Sequence, residues 1–154
     1  MPKIEIRTNV SCTCERAFDL IHDYSRRLDW DSLLQSAVVE GNTTPGKGVV
    51  TVCTGRRILG SIAMRTEYVT FVRGKVAAVR LLTPISFFER FAASIRHFEL
   101  ENGSSEVVYE LNFTARPRAL RGLFEPIMSV LLRFETQKRL RSFSRFVAES
   151  EQDI

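Results

Sequence analysis

The chain has 154 residues, of which 44% are hydrophobic and 26% charged, and its formal net charge is +4 at pH 7. This length predicts one domain over residues 1–154 with a sizeable buried core. The small positive excess, without a helix-turn-helix, zinc-finger or RNA-binding signature, argues against nucleic acid as a partner. No apolar run approaches the ~20 residues of a membrane span, and the N-terminus alternates like a strand instead of resembling a signal peptide. We therefore expect a cytoplasmic protein without a transmembrane segment.

The small number of cysteines also favours a cytoplasmic protein. The chain has 3 cysteines, Cys12, Cys14 and Cys53, which are too few for a disulfide framework. The Cys12–Cys14 pair lacks the further ligands that a tetrahedral zinc site needs. The sequence also has no glycine-rich phosphate loop. We predict neither a metal nor a cofactor.

The N-terminal region predicts a strand followed by two short helices. Apolar side chains alternate from Lys3 to Val10, which is typical of a half-buried strand. Residues Ser11 to Cys14 favour a helix cap. The helix that follows has its apolar side at Ala17, Phe18, Leu20 and Ile21. A second short helical segment is predicted over Ser25 to Gln35.

The middle of the chain predicts antiparallel strands. Alternation and turn signals place them at Ala37–Glu40, Val49–Thr54, Ser61–Val72, Val76–Leu82, Phe91–Glu101 and Glu106–Thr114. Thr83–Glu89, within this region, is predicted to be an apolar loop. In the last hairpin we expect Phe98 to face inward, and the period of two then turns Arg96 inward and His97 outward.

The stretch Arg118–Ala148 is rich in helix formers and predicts one long helix of roughly 45 Å. Its first half is apolar around more than half of its circumference, which exceeds the single stripe of an ordinary surface helix. This extra apolar surface predicts a further contact with a ligand, a partner, a membrane or a covering loop. The covering loop is the simplest of these interpretations.

Together these elements predict an α+β fold with its helices segregated from its sheet. A bent antiparallel sheet of about seven strands would surround the long C-terminal helix, with two short helices after the first strand.

The whole pattern resembles a known superfamily. The stretches that carry the resemblance are the strand Lys3–Val10, CERAFDLIHDYSRRLDWDSLLQSAVVEG at 14–41, SIRHFELENGSSEVVYELNF at 94–113 and RPRALRGLFEPIMSVLLRFETQKRLRSF at 116–143. Taken together they are similar to the SRPBCC superfamily, also called START-like or birch-pollen-allergen-like, which has the helix-grip fold. The polyketide cyclase/dehydrase and lipid-transport branch is the most similar. Thr13 stands where this family usually enters its first helix through a proline.

The resemblance implies a deep cavity between the sheet and the long helix that binds apolar small molecules. Members of the superfamily include aromatase/cyclases, lipid and quinone carriers and hormone receptors. No catalytic triad is common to them, so the resemblance assigns no catalytic residue to this chain, and enzyme and carrier both stay open.

The candidate pocket residues are large apolar or aromatic side chains, with one arginine among them. They are Trp30, Met64, Tyr68, Phe87, Phe88, Arg96, Phe98, Tyr109, Phe124, Ile127, Met128 and Leu131. We expect the loop around Phe87 and Phe88 to contact the first half of the last helix across the cavity mouth. Arg96 is predicted to be the main polar group inside.

Other clusters of titratable residues favour ordinary surface roles. The acidic run Asp19, Asp23, Asp29 and Asp31 is interpreted as solvated surface. The two histidines, His22 and His97, form no catalytic arrangement that the sequence supports.

The leading hypothesis is therefore a carrier or binding module for a lipid-, quinone- or polyketide-like molecule. A polyketide cyclase/dehydratase-type enzyme that uses the same cavity is the first alternative. A protein-interaction or dimerisation module that uses the apolar last helix is the second. Transient contact with a membrane surface and formation of a homodimer both remain open.

Overall fold

The computed structural model describes residues 2–57 and 60–152, and this part of the chain forms a sheet of 7 strands with three α-helices. In chain order the elements are β1 (Lys3–Val10), α1 (Cys14–Ile21), α2 (Arg27–Trp30), β2 (Leu34–Val39), β3 (Val50–Gly55), β4 (Ala63–Val72), β5 (Val76–Leu81), β6 (Phe88–Glu99), β7 (Ser105–Ala115) and α3 (Arg121–Gln152).

All the strands belong to one antiparallel sheet in the order β1-β7-β6-β5-β4-β3-β2. The sheet curls around α3, which lies against β1 and β7, while α1 lies against β6 and β7. Register shifts in β4 and β6 are sites where a bulge bends a strand. The predicted fold class, a helix-grip α+β fold, is confirmed.

The first helix begins where its sequence predicts. Thr13 caps α1, because its hydroxyl accepts a hydrogen bond from the backbone N–H of Arg16 at 3.2 Å. The predicted apolar side of α1 is buried. The second helix is shorter than predicted, because the chain from Leu34 onwards already pairs with β3 as a strand.

The main core lies between the β1–β7 half of the sheet and the second half of α3. Ile4, Leu111 and Phe113 from the strands and Phe143 and Val147 from α3 are almost fully buried. Burial of an aliphatic or aromatic side chain of this size contributes about 1.5–3 kcal/mol to folding. These contacts hold α3 against the sheet and leave space beside its first half.

In the β6–β7 hairpin, the side of β6 that faces inward is the opposite of the predicted side. The β7 residues Val107 and Tyr109 are buried as expected, and their partners across the strand pair are His97 and Ile95. Directly paired residues share a face of the sheet. His97 is therefore buried, and the prediction that it faces outward is wrong.

Arg96 and Phe98 lie on the opposite face of β6, where Arg96 is exposed and Phe98 is 48% exposed. The prediction that Arg96 is the polar group inside the pocket is therefore wrong, and so is the inward assignment of Phe98. The physical reason is the register of the hairpin: Phe98 pairs with the outward-facing Glu106.

The long helix starts at Arg121, after a short turn over Arg118–Leu120. Two side chains tie this start to the end of β7. Glu125 Oε2 accepts a hydrogen bond from the backbone N–H of Ala115 at 2.8 Å, and Arg121 Nε donates to the Ala115 carbonyl at 3.0 Å. They fix the direction in which α3 crosses the concave face of the sheet.

Candidate functional site

A cavity of about 430 Å³ lies between the concave face of the sheet and the first half of α3. Its wall is mostly apolar. The apolar side chains come from the sheet and from α3, and they include Met64, Ala77, Val79, Phe91, Ala93, Ile95, Leu111, Met128, Leu131 and Leu132.

Most of the candidate pocket residues lie in this wall: Met64, Tyr68, Phe87, Phe88, Tyr109, Met128 and Leu131. They come from strands, from α3 and from the loop before β6, and two of them, Phe87 and Leu131, are also partly exposed. Their role in ligand binding stays a prediction.

The other candidates lie elsewhere. Trp30 is buried against Phe143, with ring centroids 4.8 Å apart, and is a core residue outside the cavity wall. Phe124 packs on Phe87 at 5.4 Å between ring centroids, and Ile127 faces away from the sheet. Arg96 and Phe98 lie on the convex face of the sheet, as described above.

Two arginines of the cavity wall, Arg27 and Arg139, are paired with one buried aspartate. Asp31 lies just after α2 and is 1% exposed. Its carboxylate accepts hydrogen bonds from Arg27 Nε at 2.8 Å and from Arg139 Nε and Nη2 at 2.9 and 2.8 Å. Arg139 Nη1 also donates to the Tyr109 hydroxyl at 3.4 Å. Both arginines line the cavity.

The charges of this cluster stabilise one another. Burial by itself would raise the pKa of Asp31, but the adjacent Arg139 and Arg27 guanidinium groups hold that pKa at about 2. The pKa values of Arg27 and Arg139 are raised above the usual range, because the attraction of Asp31 outweighs the effect of their burial. At neutral pH all three groups are charged, and the cluster has one positive charge in excess.

A second polar group in the wall is a chain of three side chains from the α1–α2 region and β4. The Tyr68 hydroxyl lies 2.8 Å from His22 Nδ1 and 2.7 Å from the Tyr24 hydroxyl. Burial, followed by the positive charge of Arg27, lowers the pKa of His22 to about 3. Burial also raises the pKa values of Tyr68 and Tyr24. All three side chains are therefore neutral at pH 7.

The cavity opens beside the loop that precedes β6. Phe87, at the end of this loop, is 51% exposed and lines the cavity, and Leu131 of α3 also lies both in the wall and at the surface. The contact between Phe87 and Phe124 is the loop–helix contact that the sequence predicts. The loop covers only part of the helix, however. The interpretation that a loop covers the whole apolar surplus of α3 is wrong.

Sequence reasoning missed the charged cluster. It assigned Asp31 to the solvated surface, and this is wrong because Asp31 is enclosed by the two arginines. A signal was present: Arg27 and Asp31 are four residues apart, the spacing of a side-chain pair on one helix face. A second signal was present in α3: Arg139 comes seven residues after Leu132 and four before Phe143, on the apolar side of the helix, whereas Lys138 and Arg141 lie on the opposite side.

The described residues include no group of His, Cys, Asp or Glu side chains that could hold a metal ion. Within the same residues, no helix has both the length and the apolar composition that crossing a membrane requires.

The curled sheet, the long helix and the apolar cavity between them define a helix-grip protein with an internal pocket. The chain belongs to the polyketide cyclase / dehydrase and lipid transport family, whose model matches residues 1–147. The superfamily resemblance found in the sequence is confirmed. A search of curated protein sequences gives no significant match.

Several solved structures share the fold. A START superfamily protein from Mycobacterium smegmatis is 10% identical, with a TM-score of 0.79 over 96% of this chain and 97% of the other. The Zhui aromatase/cyclase from Streptomyces sp. R1128 is 14% identical, with a TM-score of 0.76 over 98% of this chain and 94% of the other. The di-domain ARO/CYC protein StfQ from the steffimycin biosynthetic pathway is 13% identical, with a TM-score of 0.78 over 97% of this chain and 51% of the other. At these identities the likeness concerns the fold alone.

Proposed function

We propose that the protein binds one hydrophobic small molecule in the cavity, as a carrier or binding module. The ligand carries a hydrogen-bond acceptor at the end that meets Arg27 and Arg139. The observation that carries this proposal is an apolar cavity of about 430 Å³ whose wall includes two buried guanidinium groups. A mostly apolar wall with a few placed polar groups is typical of small-molecule sites. Lipid-, quinone- and polyketide-like molecules have the matching composition.

The excess positive charge determines which end of a ligand faces the cluster. A guanidinium group keeps its proton in proteins, so one carboxylate against two arginines leaves a permanent positive charge. Glu135 also lines the wall but forms no ion pair with either arginine within the described chain. A carbonyl, phenolate or carboxylate oxygen of the ligand would accept hydrogen bonds from these donors.

The protonation states favour binding over acid–base catalysis. An efficient general acid or base has a pKa near the working pH. His22, with a pKa of about 3, binds a proton too weakly to act as a base at neutral pH. The raised pKa values of Tyr24 and Tyr68 make both of them poorer acids. The polar groups of the wall are therefore suited to orient a ligand.

A polyketide cyclase-type enzyme is the second candidate. Arg27 and Arg139 support it, because fixed positive charge stabilises the enolate oxygen that forms when a ketone chain closes on itself. The family description and the aromatase/cyclase structures of the same fold point in this direction as well. Turnover of a linear polyketone mimic that is lost in Arg139→Met would favour this candidate over a carrier.

Two related dyes test the proposed ligand orientation. Anilinonaphthalene sulfonate carries an anionic group, and phenylnaphthylamine has a similar aromatic body without it. We expect both to bind, with the anionic dye bound more tightly. Arg139→Met should weaken the anionic dye by about tenfold or more and leave the neutral dye nearly unchanged, since a hydrogen bond to a charged group contributes about 1.5–3 kcal/mol. Arg27→Met provides a second variant if the first folds poorly.

Arg96→Met is the matched control, because Arg96 lies on the convex face of the sheet and should affect neither dye. The proposed orientation would be contradicted if Arg139→Met weakened the binding of both dyes equally. It would also be contradicted if Arg96→Met weakened the binding of the anionic dye as much as Arg139→Met does. Met64→Trp, which places a larger ring in the cavity wall, should weaken the binding of both dyes.

A further inference from the structure

An apolar stripe runs along the outer face of α3 and is uncovered within the described chain. Its members are Leu123, Ile127, Val130, Leu131 and Phe134, and they are 60%, 61%, 72%, 47% and 61% exposed. Their spacing places them on one side of the helix. The opposite side of α3 packs on the sheet. We call these five residues the α3 stripe.

Large exposed apolar patches on monomeric proteins mark contact sites. The α3 stripe has the composition of such a site, since each member is a branched aliphatic residue or a phenylalanine. The exposed face therefore lacks the polar covering that a water-facing helix normally has.

Basic residues continue the same face of the helix. Lys138, Arg141 and Arg145 follow Phe134 at intervals of four, seven and eleven residues, and all three are exposed. Their charged groups have no ion-pair partner among the described residues. Glu149 is the next charged residue on this face. The exposed face of α3 is thus apolar in its first half and positively charged after it.

The acidic residues of this part of α3 point elsewhere. Glu125 accepts a hydrogen bond from the backbone of Ala115, and Glu135 lines the cavity. No acidic residue therefore lies within the α3 stripe or between Lys138 and Arg145, and Glu135, one turn after Leu131, borders the stripe on the side of the cavity.

A second copy of the chain fits this face poorly. In a parallel pairing of two α3 helices, Lys138 and Arg141 would meet their own counterparts. In an antiparallel pairing centred on the α3 stripe, they would meet the basic residues that precede the partner's helix, Arg116 and Arg118. Both arrangements bring like charges together, which disfavours association.

We propose that the α3 stripe docks on an anionic lipid membrane surface. The stripe enters the headgroup region, and Lys138, Arg141 and Arg145 contact lipid phosphates. An apolar face combined with cationic side chains is the composition that binds helices in the plane of such an interface. Each lysine or arginine near an anionic leaflet adds to the attraction.

The cavity mouth lies on the docked side. Leu131 belongs to both the α3 stripe and the cavity wall, and Phe87 lies at the mouth and is exposed. Docking would turn the opening toward the acyl chains, so that an apolar ligand could pass between membrane and cavity without crossing water. This last step rests on the proposed function, whereas the docking does not.

Vesicle co-sedimentation tests the proposal. Vesicles of phosphatidylcholine with phosphatidylglycerol should bind the protein, and vesicles of phosphatidylcholine alone should bind it much more weakly. The double variant Val130→Glu/Phe134→Glu should lose binding by about tenfold or more. Val38→Glu is the matched control, because Val38 is 55% exposed on β2 and lies away from α3. It should bind like the wild type.

The triple variant Lys138→Gln/Arg141→Gln/Arg145→Gln should lose the preference for anionic vesicles and the sensitivity to salt. Absence of wild-type binding to anionic vesicles, or equal binding by Val130→Glu/Phe134→Glu, overturns the proposal. In that case, a wild-type dimer that the double variant dissociates identifies a second copy as the occupant. A monomer that binds no vesicles leaves an acidic protein partner as the occupant.

Failure of docking and failure of the proposed function are distinguishable. Val130→Glu/Phe134→Glu leaves the cavity wall intact and should still bind phenylnaphthylamine without vesicles. Met64→Trp narrows the cavity and should still bind anionic vesicles.

Discussion

Asp31 is the residue on which the polar side of the cavity depends. Its carboxylate is the only acidic partner of Arg27 and Arg139 among the described residues. Breaking a buried ion pair from one side leaves the remaining charge without compensation, which costs more than the pair contributes.

The variant Asp31→Asn should therefore lower the free energy of unfolding by about 3–5 kcal/mol. Two buried guanidinium groups would then repel each other without a carboxylate between them. Urea denaturation at neutral pH measures the change. Asp29→Asn is the matched control, because Asp29 is exposed near the same helix, and it should change stability by about 0.5 kcal/mol or less. Equal effects of the two variants would contradict the structural role of Asp31.

The two histidines make stability depend on pH. Burial lowers the pKa of His97 from 6.5 to about 4, and burial and Arg27 lower that of His22 from 6.5 to about 3. In the unfolded chain both histidines bind protons below pH 6.5, whereas in the folded protein they stay neutral. Their contribution is therefore complete above pH 6.5 and is lost as the pH falls toward the folded values.

We predict that the free energy of unfolding falls by about 1.4 kcal/mol per pH unit for each histidine between pH 6.5 and pH 4. His97→Leu should remove about half of this slope. The His97 ring makes no hydrogen bond within the described chain, so this variant should not destabilise the protein at pH 7. Urea denaturation at several pH values checks both statements, and an unchanged slope in His97→Leu would contradict them.

Single positions were the least predictable from sequence. The alternation of β6 fits either face, because Phe98 and Leu100 favour one direction and Phe91 and Ile95 the other. The buried face of β7 together with the register of the hairpin selects the second. Register depends on the conformation of the turn, in which Asn102 adopts a φ of 63°. Sequence alternation does not specify it.

At the scale of elements, the loop before β6 determines access to the cavity. Phe87 contacts Phe124 of α3 by an edge-to-face aromatic pair and stands at the mouth. The loop does not cover the α3 stripe, which stays exposed in the first half of the helix.

Phe87→Ala should accelerate dissociation of phenylnaphthylamine severalfold, because the mouth loses its largest side chain. Stability should fall by only about 1 kcal/mol, the usual contribution of one aromatic pair. Stopped-flow fluorescence with an excess of competing ligand measures the rate. Phe98→Ala is the control, since Phe98 is similarly exposed but lies on the convex face. If both variants release the dye at the wild-type rate, Phe87 does not gate the cavity.

Elements themselves were well predicted where one periodicity extends over many residues. The strand pattern of β1 and β7 and the helix-forming composition of α3 needed no tertiary information. The short α2 differed because pairing of Leu34 with β3 overrides helix propensity, a tertiary effect that sequence does not report.

At the scale of the whole molecule, the fold follows from the order of elements, and the site follows only in part. Antiparallel strands before a long terminal helix predict a sheet curled around it, and the superfamily resemblance implies a cavity between the two. The charged cluster joins Arg27 and Asp31 to Arg139, which lies 108 residues after Asp31. Contacts of this range depend on where α3 lies relative to α2, which the sequence pattern leaves open.

The central claim is that the cavity holds one hydrophobic ligand, and native mass spectrometry of the purified protein with phenylnaphthylamine tests it most directly. We predict one bound molecule per chain, either the dye or a co-purified compound that the dye displaces. Met64→Trp, which narrows the cavity, should reduce the amount of this species, and Val38→Trp, a tryptophan added on the outer surface, should retain it. Wild-type protein that carries no molecule and takes up no dye, or Met64→Trp that binds like the wild type, would contradict the account.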